Sequence, residues 1–353
     1  MSQTAPGLAA VLPLKLSGRH YADNLRRLDL LLSSLLHFAE PGLLDPFLVV
    51  TPADEVPTVR RHAARWPELD LTVVVEEDHF PAFRRYRKPW QVRPWQRQQV
   101  IKLAAPDLTS APFVLTLDPD VLAVHKVSRD LLLPGGRALL LPEPRSAHPA
   151  WWRASADVLD VPADPGGPGM GVTPALLSAD ILRSVHRRIE AVSGRPWVDT
   201  LLTTYADWTE YSLYLLEATR SGLLDDRHHW CGTDTAARLQ VAPERSIWTR
   251  HEATPTAVAR LFDDQDPGLF AVVQSNAGMP VAEIAAAVAE VVPLRLAPEP
   301  PAATTSAPPG LPSRLRNRVR FEERFRTASR LVASRLYAVR REVRRGLSRR
   351  RVP

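Results

Sequence analysis

The sequence predicts an α/β fold in which a mostly parallel sheet is flanked by helices. Over about the first 120 residues, short apolar runs alternate with segments of helical periodicity, the order typical of parallel sheets. Residues 113–117 are apolar at all but one position, as in strands that are buried on both faces. That run stops at Asp118 and Asp120, and the ligands of open α/β sheets bind beyond the carboxyl ends of the strands.

The first elements follow one another closely along the chain. Residues 11–16 predict the first strand, and a leucine-rich helix follows it with Asp23 or Asn24 as its cap. Residues 47–51 and 69–75 predict the second and third strands. Between them, an acidic turn favours the start of a second helix, because the helix dipole stabilises negative charge there.

A basic and aromatic segment separates the third strand from the next helix. We interpret residues 80–94 as a solvated loop, with a surface that faces a phosphate or an acceptor as the alternative. The helix after it covers residues 95–103 and carries Gln99 and Lys102 three positions apart, on one face. From that face an amide and an ammonium group can reach a nucleotide or its phosphates.

The second half of the chain continues the α/β pattern. Residues 138–141 and 270–276 predict strands, and helices are predicted from about Ala179 and over residues 281–291. A glycine-rich segment, residues 164–171, matches neither a nucleotide P-loop nor the dinucleotide-binding fingerprint. Two interpretations of it remain, a simple turn and a close approach of the backbone to a ligand.

Asp118 and Asp120 are the first candidates for a functional site. Oxygen ligands on one short turn suit Mg²⁺ or Mn²⁺, and such an ion is usually held by one or two carboxylates together with substrate phosphates. An Asp-x-Asp pair also arises by chance, and Asp264 with Asp266 forms a second one in a polar turn that we interpret as a loop. The first pair therefore predicts a metal–diphosphate site.

Glu210 and three histidines are further candidates. Thr209 is a plausible helix cap, which places Glu210 in the first turn, where stabilisation by the helix dipole competes with a role in an active site. His228, His229 and His251 remain for metal chemistry, but none shows the i, i+4 spacing of a zinc-binding helix.

The composition excludes several classes of protein. The single cysteine, Cys231, rules out an internal disulfide and a cysteine-based zinc site. Neither a signal peptide nor a membrane-spanning run of apolar residues is predicted. We therefore expect a cytoplasmic protein.

The positive charge of the chain is confined to its end. The formal net charge is +6, but residues 311–353 contribute +12, so the rest of the chain carries −6. We divide the chain into a body, residues 1–292, a proline- and alanine-rich linker, residues 293–312, and an arginine-rich amphipathic helix, residues 313–353. For this helix we rank contact with the anionic inner face of the membrane first and a partner helix second. Nucleic acid comes third and is not expected, because no stacking motif accompanies the charge.

The order of these motifs resembles that of a known family. The resemblance covers most of residues 11–280. It rests on a helix that reads Trp95-x-x-Gln98-Gln99-x-x-Lys102-Leu103 and on a strand that ends Leu117-Asp118-x-Asp120. Two later segments complete it, Trp208-Thr209-Glu210-Tyr211-x-x-Tyr214 and Phe270-x-Val272-Val273-Gln274-Ser275. They are similar to those of a bacterial, glycosyltransferase-like family assigned to the GT-A fold.

This resemblance implies a metal-dependent transfer of a sugar from a nucleotide-sugar donor. Asp118 and Asp120 would hold Mn²⁺ or Mg²⁺ against the donor diphosphate, and the metal would neutralise charge that builds on the leaving group. Gln99, Lys102 and Gln274 would contact the donor. His251 is the candidate for a further metal ligand, and Glu210 for the acceptor-side carboxylate. The acceptor itself, whether a glycan, a lipid or a small molecule, is left open.

Two other functions remain as alternatives. A phosphatase of the haloacid-dehalogenase type also uses Asp-x-Asp after an apolar strand, but it places the pair near its first strand, and here about 100 residues of α/β structure come before it. A non-catalytic binding or assembly module on the same fold would bind nucleotide and metal without turnover.

Overall fold

The computed structural model describes residues 7–17, 23–86, 94–204, 207–231, 240–242, 245–263 and 268–297. The predicted arginine-rich tail, most of the predicted linker and the second Asp-x-Asp pair lie outside the described residues. Within the described ranges, no helix combines the length and the apolarity needed to cross a bilayer.

Strands and helices alternate along the chain. The strands are β1 (Leu8–Pro13), β2 (Phe47–Thr51), β3 (Leu71–Val75), β4 (Phe113–Thr116), β5 (Val121–Ala123), β6 (Ala138–Leu140), β7 (Glu143–Pro144), β8 (Pro168–Gly169), β9 (Ala175–Ser178), β10 (His228–Trp230) and β11 (Phe270–Val272). The helices are α1 (Asn24–Phe38), α2 (Val56–Ala63), α3 (Glu76–His79), α4 (Pro81–Arg85), α5 (Pro94–Leu103), α6 (Ala105–Leu108), α7 (Arg129–Leu132), α8 (Pro149–Leu159), α9 (Ala179–Ser193), α10 (Trp197–Thr203), α11 (Glu210–Ser221), α12 (Leu224–Arg227), α13 (Pro255–Ala259) and α14 (Val281–Ala289).

Five strands form the central sheet, in the spatial order β3-β2-β1-β4-β9. Strands β1 to β4 pair in parallel, and β9 runs antiparallel to β4 along Phe113 to Thr116. Every side chain of β1, β2 and β4 is buried, as the apolar sequence of these strands predicts. The predicted α/β class, with a mostly parallel sheet flanked by helices, is confirmed.

The sheet separates two apolar cores. Because successive strand residues point to opposite faces, Ala9 and Val11 of β1 pack with α5, α8, α9 and α11. Leu8, Ala10 and Leu12 pack on the other face against the leucines of α1. Helices therefore cover both faces, which leaves the ends of the strands as the open part of the sheet.

The first strand differs from its predicted position. It covers Leu8–Pro13, whereas residues 11–16 were expected, and the third strand begins at Leu71 rather than at residue 69. The small residues Ala9 and Ala10 lower the apparent hydrophobicity of the first strand, but their positions are fully buried between the helices. Burial by neighbouring elements, and not side-chain size, sets this boundary.

The predicted loop over residues 80–94 is wrong in its first part. Pro81–Arg85 is helical, and the rings of Phe80 and Phe83 are buried 5.0 Å apart. Two aromatic residues three positions apart supply an apolar side on which this short basic segment folds. Residues 87–93 lie outside the described part of the chain.

A small two-stranded sheet adjoins the carboxyl end of β4. Strand β11 pairs antiparallel with β5, and the Val273 amide donates to the carbonyl oxygen of Asp120 over 2.9 Å. Gly268 precedes β11 where the chain passes very close to Ala242. This close passage positions the strand that faces the aspartate pair.

Gly268→Ala is expected to destabilise the protein by about 1–3 kcal/mol, as overpacking does in close-packed interiors. An added Cβ atom would lie 2.5 Å from the Ala242 Cβ and 2.7 Å from its backbone nitrogen, so the backbone has to move. Urea unfolding measures the change. Gly166→Ala is the control, since its Cβ would meet nothing closer than 3.6 Å, and equal stability of the two variants would contradict the prediction.

Candidate active site

A cavity of about 730 Å³, its open mouth included, lies beyond the carboxyl end of β4. Helix α5, the loop ahead of β9, the first turn of α11 and the end of β11 form its walls. It brings together six residues that the sequence singles out, Gln99, Lys102, Asp118, Asp120, Glu210 and Gln274. Four segments that are far apart in the chain thus converge at the place that the parallel sheet predicts for a ligand.

Lys102 lies at the floor of this cavity. Its ammonium group is 2.9 Å from Asp118 Oδ2, 3.0 Å from Thr173 Oγ1 and 3.4 Å from Glu210 Oε1. Burial by itself would lower the Lys102 pKa, but the neighbouring Asp118, Tyr211 and Glu210 outweigh burial and raise it. Lys102 is therefore a charged counter-ion of the two carboxylates, and it lines the cavity in which the sequence predicts a contact with a nucleotide or its phosphates.

Glu210 is buried beside Lys102. Thr209 caps α11 as predicted, with its hydroxyl accepting from the Ser212 amide over 3.1 Å, so Glu210 falls in the first turn of the helix. Burial raises the Glu210 pKa, and the Lys102 charge only partly opposes this. The Glu210 amide donates to Gln99 Oε1 over 3.0 Å, which ties α5 to α11.

The two aspartates are held by different elements. Lys102 holds Asp118 Oδ2, and the Ser275 amide donates to Asp120 Oδ2 over 2.9 Å. Burial and the nearby Asp118 carboxylate raise the Asp120 pKa, and the Arg27 guanidinium opposes that shift. The remaining oxygen of the first aspartate, Asp118 Oδ1, is buried and has no hydrogen-bond partner in the described part of the chain.

This donor set fits a divalent cation. A buried carboxylate oxygen without a partner is costly unless a ligand satisfies it, and Mg²⁺ and Mn²⁺ prefer such oxygens. Among the described residues, no group of three His, Cys, Asp or Glu side chains could hold a metal. The predicted ligand His251 is exposed and does not line the cavity. Substrate oxygens would therefore have to complete the coordination, as they commonly do for Mg²⁺.

Several residues of the site escaped the sequence analysis. Arg27 is buried in α1, donates to the Val273 carbonyl oxygen over 2.9 Å and places its charge near Asp120. The Tyr211 hydroxyl lies 2.8 Å from Thr116 Oγ1 and 2.7 Å from Thr173 Oγ1, which extends the network around Lys102. An arginine within a leucine-rich helical face was the available signal for Arg27, since a buried arginine needs a partner.

The glycine-rich segment proves to pack against the protein itself. A Cβ atom at Gly169 would meet the Trp152 ring at 2.6 Å and the Glu143 carbonyl oxygen at 2.9 Å. Gly171 lines the cavity, and a Cβ atom there would overlap the Glu143 carboxylate. Close backbone approach is thus the reason for these glycines, and it brings Glu143 to the cavity edge.

A narrower crevice adjoins the cavity beyond β1, β2 and β3. Leu14, Pro52 and Glu76, which follow these three strands, line it together with Arg97, and Gln98 of α5 lines both the crevice and the cavity. The Glu76 carboxylate is buried 3.7 Å from the Arg97 guanidinium. Burial raises the Glu76 pKa to about 7, and the Arg97 charge offsets only part of that shift.

The fold and this cavity define an α/β protein with a carboxylate pair at the carboxyl end of a parallel strand. The chain belongs to a family of unknown function, DUF6492, whose model matches residues 5–296. A comparison with curated proteins gives no match.

Solved structures of similar shape include two glycosyltransferases. Mouse xyloside xylosyltransferase 1, in its apo form, matches with a TM-score of 0.45 and 13% identity over 78% of this chain and 100% of that one. The galactosyltransferase LgtC, in complex with donor and acceptor sugar analogues, matches with a TM-score of 0.46 and 13% identity over 82% of this chain and 98% of that one. At these values the likeness assigns no activity to this chain.

Lys102→Met is expected to lower the free energy of unfolding by about 3–5 kcal/mol, because it leaves the Asp118 and Glu210 carboxylates without their buried counter-ion. Adding Glu210→Gln should restore part of the loss, since it removes one of the two unbalanced charges. Chemical denaturation measures both variants.

Arg85→Met is the control for Lys102→Met, because its pair with Asp199 has an arginine side chain that is 62% exposed. Such a pair contributes about 1 kcal/mol or less. If the variant that combines Lys102→Met with Glu210→Gln were as unstable as Lys102→Met alone, the assignment of Lys102 as counter-ion to both carboxylates would be contradicted.

Glu76 predicts a dependence of stability on pH. Its folded-state pKa of about 7 lies above the ordinary 4.5, so between these values the folded protein binds more protons than the unfolded chain. Stability is therefore lost as the pH rises through this window, by about 3 kcal/mol in total. Glu76→Gln should remove this loss, as measured by denaturation at several pH values, whereas Glu283→Gln on the exposed side of α14 should not. If the free energy of unfolding changed with pH in the same way in wild type and in Glu76→Gln, the prediction for Glu76 would be contradicted.

Proposed function

We propose that this chain is a metal-dependent glycosyltransferase that moves a sugar from a nucleotide-sugar donor to an acceptor. One observation carries the proposal: Asp118 and Asp120 meet in a cavity beyond β4, and Asp118 keeps a buried oxygen without a partner while Lys102 holds the other. Two carboxylates held in this way are suited to a cation that also binds a diphosphate.

Asp118 and Asp120 would hold Mn²⁺ or Mg²⁺. When bound, the ion supplies positive charge against the diphosphate oxygens, which gain negative charge as the bond to the sugar breaks. Lys102, which also donates to Thr173, orients the first carboxylate, and the Ser275 amide orients the second. The chain thus fixes both carboxylates before a donor arrives, which limits reorganisation during the reaction.

We assign the nucleoside part of the donor to the open mouth of the adjoining crevice, because the crevice itself is narrow. It lies over the ends of β1, β2 and β3, next to the cavity that holds the aspartates, and Gln98 lines both. Arg97 and Glu76 offer hydrogen-bonding groups there, and Gln274 and Gln99 line the cavity where the sugar and phosphates would lie. A nucleoside diphosphate would then extend along the carboxyl edge of the sheet.

Glu210 is the proposed carboxylate on the acceptor side. In the transfer, an acceptor hydroxyl oxygen bonds to the anomeric carbon, the bond from that carbon to the diphosphate breaks, and the hydroxyl proton passes to a base. The raised pKa of Glu210, caused by burial, brings its carboxylate closer to the range of an effective base. It lines the cavity from the first turn of α11.

Asp118→Ala and Asp120→Ala should each weaken Mn²⁺-dependent binding of nucleoside diphosphates by at least about tenfold, because each removes a proposed metal ligand. Calorimetry with UDP, GDP and the other common nucleoside diphosphates, with and without Mn²⁺, measures the affinities. Asp226→Ala, at an exposed position in α12, is the control and should bind as wild type does. Undiminished binding by both cavity variants would sink the assignment.

Turnover separates this proposal from the alternatives. A transferase should release nucleoside diphosphate from one nucleotide-sugar of a panel, whereas a binding module would bind the diphosphate without any release. The phosphatase alternative would instead release phosphate from an aryl phosphate, and it fits poorly because Asp118 follows the fourth strand in chain order.

A further inference from the structure

The tryptophans of this protein are unevenly distributed between core and cavity. Among the described tryptophans, Trp66, Trp152, Trp197 and Trp208 are buried, and the partly exposed ones are Trp95, Trp151, Trp230 and Trp248. All of these partly exposed tryptophans except Trp230 line the cavity that contains the aspartate pair. Large aromatic surface is normally buried, so its concentration at one cavity indicates a ligand with an apolar face.

Two of these tryptophans lie close together, and a histidine ring stacks on one of them. The ring centroids of Trp95 and Trp151 lie 6.1 Å apart, and the His148 ring stacks on Trp151 with centroids 3.8 Å apart and an angle of 16°. Trp95 lies in the first turn of α5, Trp151 lies in the first turn of α8, and His148 directly precedes α8. We call Trp95 and Trp151 the aromatic wall, because both line the cavity, whereas His148 is not among its lining residues and covers one face of the Trp151 ring.

A carboxylate stands beside the aromatic wall. The Glu143 carboxylate packs against Gly171, which lines the cavity, and its Oε1 lies 3.9 Å from His148 Nε2. Burial raises the Glu143 pKa, and the His148 charge opposes that shift. This group accepts hydrogen bonds at the edge of an aromatic surface, so the two together can hold a ligand that has an apolar face and a rim of hydroxyls.

The aromatic wall and the crevice are formed in part by different elements of the fold. The crevice is lined by the ends of β1, β2 and β3 and by Arg97 and Gln98 of α5, whereas Trp151 of the wall belongs to α8, whose residues are not among those that line the crevice. A donor that extends from the crevice to Asp118 therefore leaves the aromatic wall for a second substrate.

We propose that the aromatic wall and Glu143 form the acceptor subsite and that the acceptor is a carbohydrate, bound through a pyranose ring. A pyranose has C–H groups on one face and hydroxyls around its edge. The C–H face, with its partial positive charge, would stack on the face of the Trp151 ring that His148 does not cover, and the Glu143 carboxylate would accept from a hydroxyl. The inference rests on the proposed transferase function. It names a carbohydrate as the acceptor, where glycan, lipid and small molecule were left open.

The test measures binding of the full chain to an array of immobilised mono- and oligosaccharides, with Mn²⁺ and a nucleoside diphosphate present. Wild type should bind a subset of the glycans. Trp151→Leu should weaken that binding by about tenfold, because leucine keeps apolar bulk but has no aromatic face. Trp151→Phe should retain most of it, and Trp230→Leu, outside the cavity, should leave it unchanged.

Calorimetry with Mn²⁺ and the nucleoside diphosphate is run on the same preparations. Retained donor binding by Trp151→Leu together with lost glycan binding supports the inference and also shows that this variant folds. Three results overturn it: no glycan bound by wild type, glycan binding that Trp151→Leu does not change, or a loss of nucleotide binding in that variant, which would assign the wall to the donor. A wild type that binds glycan but no nucleoside diphosphate would refute the donor site and leave the glycan subsite standing.

Discussion

The candidate site depends on one buried charge, the ammonium group of Lys102. It contacts Asp118 after β4, Thr173 ahead of β9 and Glu210 at the start of α11. A buried cation is stable only with well-placed partners, so three segments distant in sequence are held to one point. The floor of the cavity is therefore set by an ion cluster, and the position of each carboxylate depends on the others.

This cluster also explains how the aspartate pair can be ready for a ligand. Lys102 neutralises one oxygen of Asp118 and leaves the second buried without a partner, while Asp120 is oriented separately by the Ser275 amide and the charge of Arg27. The first carboxylate is fixed from α5 and the second from β11 and α1. The separation of the two carboxylates therefore depends on the packing of the small β5–β11 sheet against the central one.

Much of the fold follows from the sequence, but the contacts of the site do not. Strand β2 is found where its apolar run predicts it, and the cap of α11 is as expected, because both are set by local composition. The helical spacing of Lys102 correctly indicates which face of α5 it occupies, but spacing cannot tell what that face meets. The contacts of Lys102 with Asp118 and Glu210 could therefore not be predicted from the sequence. Arg27 was missed for the same reason, since its partner Val273 lies 246 positions away in the chain.

Helix α5 links all parts of the proposed site. Positions three and four residues apart lie on one helical face, so Trp95, Gln98, Gln99 and Lys102 all line the cavity. Trp95 contributes a ring of the aromatic wall, and Gln98 also lines the adjoining crevice. Gln99 accepts from the Glu210 amide, and Lys102 is the counter-ion of Asp118. Because a helix is stiff over ten residues, its packing fixes the spacing of these groups together. A shift of α5 would therefore move the proposed donor side and the proposed acceptor side at once, so under this proposal a single rigid element sets the relative placement of the two substrates.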